Sequence, residues 1–269
     1  MPVSSSLLGC FSKKPLTNYF HHDADNVGDR ACGAAQYFWP DAFEAFSFND
    51  GLTSAQTVIF GGGQVFSQTD SFSAKMRTGS QSYNLIAWGI GIPEKGKKDK
   101  MVRDVSARFS LFGTRNFEWH NELDFVPCAS CMSPAFDEIP APSHEVVIYS
   151  HRKKTPDLRP VEGIPYMTNA AGNIKQAIDF LASGDTIVTS SYHGVYWGQL
   201  LGRRVICIPY NSKFHTLQHP PIYTETENWR ESLGKGKVTP RLLEEYRQIN
   251  INFSKRAKDI LDEAGNKDE

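Results

Sequence analysis

Short apolar runs alternate along this chain with helix-length stretches, and most of the runs end at glycine or another small residue. Leu16 to Phe20 reads as a strand, followed by the polar turn HHDADNVGD and a helical run from about Arg30 to Phe38. Thr57 to Phe60 is a continuous apolar strand that stops at Gly61-Gly62-Gly63. Asn84 to Trp88 is stopped by GIGIP, and Arg108 to Phe112 by Gly113-Thr114-Arg115. Fully apolar strands bounded by glycine suit a sheet buried on both faces. Helix-length segments between them imply right-handed crossovers and parallel pairing.

A Pro-rich stretch, SPAFDEIPAPSHE from Ser133 to Glu145, interrupts the alternation and reads as a linker. The pattern restarts with a strand at Val146 to Tyr149 and a helix from about Asn173 to Ala182. Asp185 to Phe214 then reads as strand (Thr186 to Thr189), tight turn, helix (about His193 to Leu201) and strand (Val205 to Pro209). From Thr239 a Thr-Pro pair suits a helix cap and first turn. Leu242, Leu243, Tyr246, Ile249, Phe253, Ile260 and Leu261 follow at mostly helical spacing. The predicted fold class is α/β, with two Rossmann-like domains whose parallel sheets face a cleft. Residues 1–138 form the first, 139–238 the second, and 239–269 a helical tail.

Composition agrees with this organisation. A chain of 269 residues is too long for one ordinary core and suits two domains. The formal net charge of −1 supplies no global field for nucleic acid or a membrane surface. No run approaches the ~20 apolar residues of a membrane-spanning helix, and MPVSSSLLGCFSKKP lacks the pattern of a secretory signal. Five scattered cysteines fit a reducing compartment better than a disulfide framework. The expected location is the cytoplasm; the basic run Lys95 to Lys100 reads as a solvated loop, with contact to a lipid-linked acceptor or an anionic surface as the alternative.

Candidate chemistry gathers at predicted strand ends, where ligands collect in open parallel sheets and helix N-termini face anions. His193 stands at a strand-to-helix turn and Lys213 just past the next strand, which suits an anionic substrate. The run His151-Arg152-Lys153-Lys154 follows the first strand of the second domain, so its start should face the same cleft. Asn26-Val27-Gly28-Asp29, Gly61-Gly62-Gly63 and Gly89-Ile90-Gly91 are turns that let backbone approach a ligand. None is a Walker loop or a dinucleotide fingerprint, so no nucleotide cofactor is expected. Asp23, Asp25 and Asp29 lack the further ligands of a calcium loop. Cys128-x-x-Cys131 has half the spacing of a zinc site with no second half, and reads as two loop thiols near the domain junction, so no metal is expected. Taken singly, such a histidine is more often a cap or core group, and Lys213 and Arg115 are more often surface cations.

Together, NVGD, FGGG, WGIGIP, FGTRN and TSSYHGVYWGQLLGRRVICIPYNSKF, in that order from roughly Tyr19 to Phe214, resemble the polysaccharide pyruvyl transferase family. The resemblance implies a glycosyltransferase-B-like protein that moves a pyruvyl group from phosphoenolpyruvate to a sugar, usually as a cyclic ketal. It implies no cofactor beyond that co-substrate, and a sugar or glycan acceptor, free or lipid-linked. His193 matches the catalytic histidine, and Arg115 and Lys213 match basic residues that hold the donor. Ser191, Tyr192, Gly194 and Arg152 complete the expected donor side; Asn26, Asp29, Gly62 and Gly63 form the expected acceptor side. The family often carries Arg two residues before its histidine, where this chain has Ser191, and the Cys128 to Cys131 element falls outside the pattern. Two alternatives share the architecture. One is a nucleotide-sugar glycosyltransferase, with Glu162 as its nearest candidate ribose-binding acid. The other is a non-enzymatic sugar-binding relative, which Ser191 favours and His193 and Lys213 oppose.

Overall fold

The computed structural model describes residues 16–79, 82–155, 157–170 and 172–265; Cys10 and the stretch considered for a signal lie outside the described residues. The first sheet belongs to a run of β1 (Leu16–Tyr19), α1 (Val27–Arg30), α2 (Ala35–Phe38), β2 (Phe43–Phe46) and β3 (Thr57–Gly63). It continues through α3 (Phe66–Thr78), β4 (Asn84–Ile90), α4 (Asp99–Ser106), β5 (Leu111–Thr114) and β6 (Asp124–Phe125). All pairings are parallel, in the order β2-β1-β3-β4-β5-β6. The second run is β7 (His144–Ser150), β8 (Tyr166–Thr168), α5 (Ile174–Ala182), β9 (Gly184–Thr189), α6 (Tyr192–Leu200), β10 (Arg204–Cys207) and β11 (Ile222–Tyr223). It too is parallel throughout, ordered β11-β10-β9-β7-β8. The chain closes with α7 (Leu242–Gly265). Two parallel α/β sheets are therefore present, as the apolar alternation predicts.

Element boundaries depart from the sequence reading where close packing takes over from the apolar pattern. Gly61 to Gly63 does not stop β3 but forms its last three residues, paired with β4; a Cβ on Gly61 would collide with the carbonyl oxygen of Trp88 on that strand. β5 begins at Leu111, not Arg108, since Arg108 and Phe109 close the turn after α4 through bonds to Val105 O and Ser106 O. The predicted helix from Arg30 to Phe38 splits into α1 and α2 around Cys32 and Gly33. β2, β6, β8 and β11 have only two to four residues and half-exposed or exposed side chains, too little apolar pattern to announce a strand.

Helix α6 is buried along its whole length, which explains an apolar composition on every side. Gly194 and Gly198 stand four residues apart on one face. A Cβ on Gly194 would lie 2.8 Å from Tyr149 Cδ1, and one on Gly198 2.8 Å from Ile187 Cδ1. Two absent side chains thus let α6 settle close onto β7 and β9. Its opposite side meets the first domain: Tyr196 Oη donates to Cys128 O (2.7 Å) and Trp197 Nε1 to Ser130 Oγ (2.9 Å). One apolar cluster spans the boundary, joining Val27, Cys32, Cys128 and Phe136 to Val147, Trp197, Leu200 and Tyr246.

The tail is one continuous helix that starts at Leu242, two residues past the predicted Thr-Pro cap, and it leads back onto the first domain. Phe253 and Ala257 pack with Ile59, Ile86 and Trp88. Asn250, fully buried, accepts from Trp88 Nε1 (2.8 Å) and donates to Pro127 O (3.2 Å) and Tyr246 O (3.0 Å). Arg247 donates to Cys131 O (2.9 Å) and Asp137 (2.7 Å). Asn250→Ala leaves a buried indole N–H unpaired. We expect a loss of about 2–4 kcal/mol in urea unfolding, whereas a loss under about 0.5 kcal/mol would mean the helix is held by its apolar face alone.

Candidate functional site

Each sheet reverses its winding once. In the first, β1 pairs with β2 on one side and β3 on the other; in the second, β7 pairs with β8 and β9. Such switch points leave a crevice past the carboxyl ends of the strands. The two crevices meet in a single cavity of about 40 Å³ lined by Asn26, Asp29, Gln64, Arg115, His151, Ser191, Tyr192, His193 and Lys213. Every lining residue follows a strand: β1, β3 and β5 in the first domain, β7, β9 and β10 in the second. A larger surface hollow lined by Met76, Arg77, Tyr83, Arg108 and Ser110 sits before β4 and β5, at the opposite sheet edge.

Arg115 is 4% exposed. Its guanidinium stacks on Tyr192, 3.9 Å from the ring centroid, a cation–π contact across the domain boundary. Nη2 donates to Gln64 Oε1 at 3.4 Å, while the buried Nη1 has no hydrogen-bond partner among the described residues. Lys213 Nζ donates to Tyr210 Oη at 2.5 Å and lies 4.7 Å from that ring's centroid. Burial first, and then the charge of Arg115, push its pKa down to about 8. Burial, followed by the charge of Lys213, also lowers the His151 pKa. Asp29 is the one carboxylate in the lining, and its Oδ2 accepts from Asn26 Nδ2 at 2.9 Å. Arg115, always charged, and Lys213, charged below about pH 8, stand against one carboxylate, a balance that suits an anion.

His193 is buried in the first turn of α6. Its Nε2 lies 3.4 Å from Cys32 Sγ and 3.6 Å from Cys128 Sγ, and the two sulfurs are 3.5 Å apart. Cys32 Sγ donates to Gly28 O at 3.0 Å. The two thiols split their pKa values. Cys128 is held well below the usual thiol range, first by its hydrogen bond with Cys32 and then, against burial, by His193; the same bond, with burial, raises Cys32. Gly28 makes room for the imidazole, since a Cβ there would collide with His193 Nδ1.

The structure thus brings together Asn26, Asp29, Arg115, Ser191, Tyr192, His193 and Lys213, all singled out in the sequence. Arg152 is exposed and His151, beside it, lines the cavity instead. Gly62 and Gly63 line no part of it; Gly62 packs on Cys32, and Gly63 holds a positive φ of 86° at the end of β3. Gly194 faces the sheet beneath α6. Glu162 is exposed and outside the cavity. Cys128 and Cys131 are both buried at the domain junction, but Cys128 faces Cys32 and His193, while Cys131 faces Asn250 Nδ2 (3.4 Å). Gln64, the Arg115 partner, carried no signal beyond its place after the glycine run.

No family model and no curated protein matches this chain. Among solved structures, the glycosyltransferase of kitacinnamycin superposes with a TM-score of 0.51 at 8% identity, covering 93% of this chain and 98% of its own. A Klebsiella pneumoniae protein of uncharacterised function is 15% identical over 76% of this chain and 86% of its own, with a TM-score of 0.49. A Listeria monocytogenes protein provisionally assigned as a UDP-N-acetylglucosamine 2-epimerase is 10% identical over 89% and 90%, also at 0.49. The fold is glycosyltransferase-B-like. Among the described residues no helix is long and apolar enough to cross a membrane.

Two outcomes follow from this geometry. Gly28→Ala should displace the His193 ring and cost about 1–3 kcal/mol in denaturant unfolding; an unchanged midpoint would show that the ring moves freely. Anion affinity should fall as pH rises through about 8, because Lys213 loses its proton there. Calorimetry in buffers of differing ionisation enthalpy should show proton uptake on binding above that pH, and a flat profile to pH 10 would remove Lys213 from the anion contact.

Proposed function

We propose that this protein is a glycan-modifying transferase, and specifically one that moves a pyruvyl group from phosphoenolpyruvate to a sugar. The observation that carries the reading is Arg115 Nη1, a buried cationic donor without a partner among the described residues, in the same cavity as Lys213. A small, highly charged anion would answer both groups, and phosphoenolpyruvate offers a carboxylate and a phosphate. The resemblance to polysaccharide pyruvyl transferases places Arg115, Lys213 and His193 in those roles. Similarity of fold to a glycosyltransferase supports the broader class, a transferase acting on a glycan. Nothing at the position of Glu162 favours a nucleotide-sugar donor over phosphoenolpyruvate.

In the proposed reaction, Arg115 and Lys213 hold the donor anion while a proton is added to its methylene carbon, which becomes a methyl group. The adjacent carbon gains positive character, a sugar hydroxyl attacks it, and the carbon–oxygen bond to phosphate breaks. A second hydroxyl then closes the ketal. Two hydroxyl protons are released; one balances the proton given to carbon and the other leaves with phosphate. His193 suits the proton transfer because imidazole can give and take protons near neutral pH. Its Nε2 is engaged by the thiols, so Nδ1 is the nitrogen assigned to the transfer. Asp29 and Asn26, across the cavity, would hold acceptor hydroxyls. A cavity of about 40 Å³ holds only a few waters, so both substrates require the cleft to widen.

Isothermal titration of phosphoenolpyruvate into the wild-type protein should give saturable binding. Arg115→Ala and Lys213→Ala should each weaken it by roughly tenfold or more, about 1.4 kcal/mol. His193→Ala should leave donor binding within a few-fold and abolish ketal formation, followed by the methyl proton resonance of the product. Absence of donor binding, with a nucleotide sugar binding instead, would move the protein to the glycosyltransferase reading.

A further inference from the structure

Cys32, Cys128 and His193 come from three separate segments: the turn between α1 and α2, the turn after β6, and the start of α6. All three are buried, and the proton chemistry above uses only one nitrogen of His193. Bonds of about 2.3 Å to sulfur and about 2.0–2.1 Å to nitrogen at tetrahedral angles place sulfurs about 3.8 Å apart and sulfur and nitrogen about 3.6 Å apart. The separations here are 3.5 Å between sulfurs and 3.4 and 3.6 Å from sulfur to Nε2. Ordinary packing gives such distances for any one pair. It does not require three metal-ligating atoms from two domains to meet in one triangle.

We infer that Cys32, Cys128 and His193 form a binding site for a borderline-soft divalent cation, zinc foremost. Two sulfurs and one imidazole are a donor set that zinc takes, with one tetrahedral position left for water or another small ligand. The ligands are held in place without the ion. Tyr196 Oη donates to Cys128 O, Ser130 Oγ lies 3.2 Å from Cys128 Sγ and accepts from Trp197 Nε1, and Gly28 O fixes Cys32 Sγ. Cys131, three residues from Cys128, is kept apart by Asn250. Binding would displace the thiol protons and tie the first domain to α6 of the second. It would also hold His193 as a fixed Nδ1–H donor that cannot accept a proton, so zinc would inhibit pyruvyl transfer. That last consequence rests on the proposed function; the binding of the ion does not.

The test is a titration of the reduced, metal-stripped full chain with cobalt(II), followed by displacement with zinc. We expect one cobalt per chain, with thiolate-to-cobalt charge-transfer absorption and the visible bands of a tetrahedral ion, all lost on adding zinc. Cys32→Ser and Cys128→Ser should each weaken cobalt binding at least about tenfold, while Cys131→Ser and Cys207→Ser retain it. His193→Gln, with folding checked by circular dichroism, should also weaken it and guards against a serine variant that fails to fold. A wild-type chain with no stoichiometric cobalt spectrum, or Cys32→Ser binding as tightly as wild type, would overturn the site. So would a Cys32–Cys128 disulfide in freshly purified protein. Donor binding is read separately by calorimetry, so failure of the phosphoenolpyruvate reading would leave the cobalt result intact.

Discussion

The second turn of α6 is held against the Cys128 to Met132 turn across the domain boundary, and the rest of the site depends on that contact. Tyr196 and Trp197 make the two buried hydrogen bonds, and the shared apolar cluster excludes water around them. Without this seam, His193 and Tyr192 would belong to one domain and Asp29 and Arg115 to another, with no fixed relation. Glycine makes the seam possible on both faces of α6. Gly194 and Gly198 bring the helix onto its own sheet, and Gly28 admits the imidazole from the other side.

Burying Arg115 beneath Tyr192 removes a cation from water, which is costly unless something answers its charge. The tyrosine face supplies part of that answer. Lys213 adds a second cation to the same small volume, where burial first and then the charge of Arg115 lower its pKa. A bound anion would relieve both.

The architecture was legible because strands buried on both faces leave short apolar runs, ending at glycine in β3, β4 and β5 and at serine in β7 and just past β9. The edge strands left no such trace. Boundaries drifted where glycine serves packing, as at Gly61, whose role is set by a carbonyl on the next strand. At the site, His193, Arg115 and Lys213 could be found because the strand-end rule places chemistry by chain position. The start of the His151 to Lys154 run faces the cleft as its place after β7 predicts, but it is His151 that lines the cavity while Arg152, one residue on, is exposed. The convergence of Cys32 with Cys128 was not legible, since nothing in the spacing of two distant cysteines tells that two turns from one domain face one histidine of another.

The central claim is that the junction of the two switch points is an anion site. A crystal structure of the protein grown with phosphoenolpyruvate tests it most directly. The account predicts a donor oxygen within hydrogen-bond distance of Arg115 Nη1, a second near Lys213 Nζ, and the methylene carbon on the His193 side. Clear density for the anion at another place on the protein, with Arg115 Nη1 bonded instead to a protein group, would contradict it.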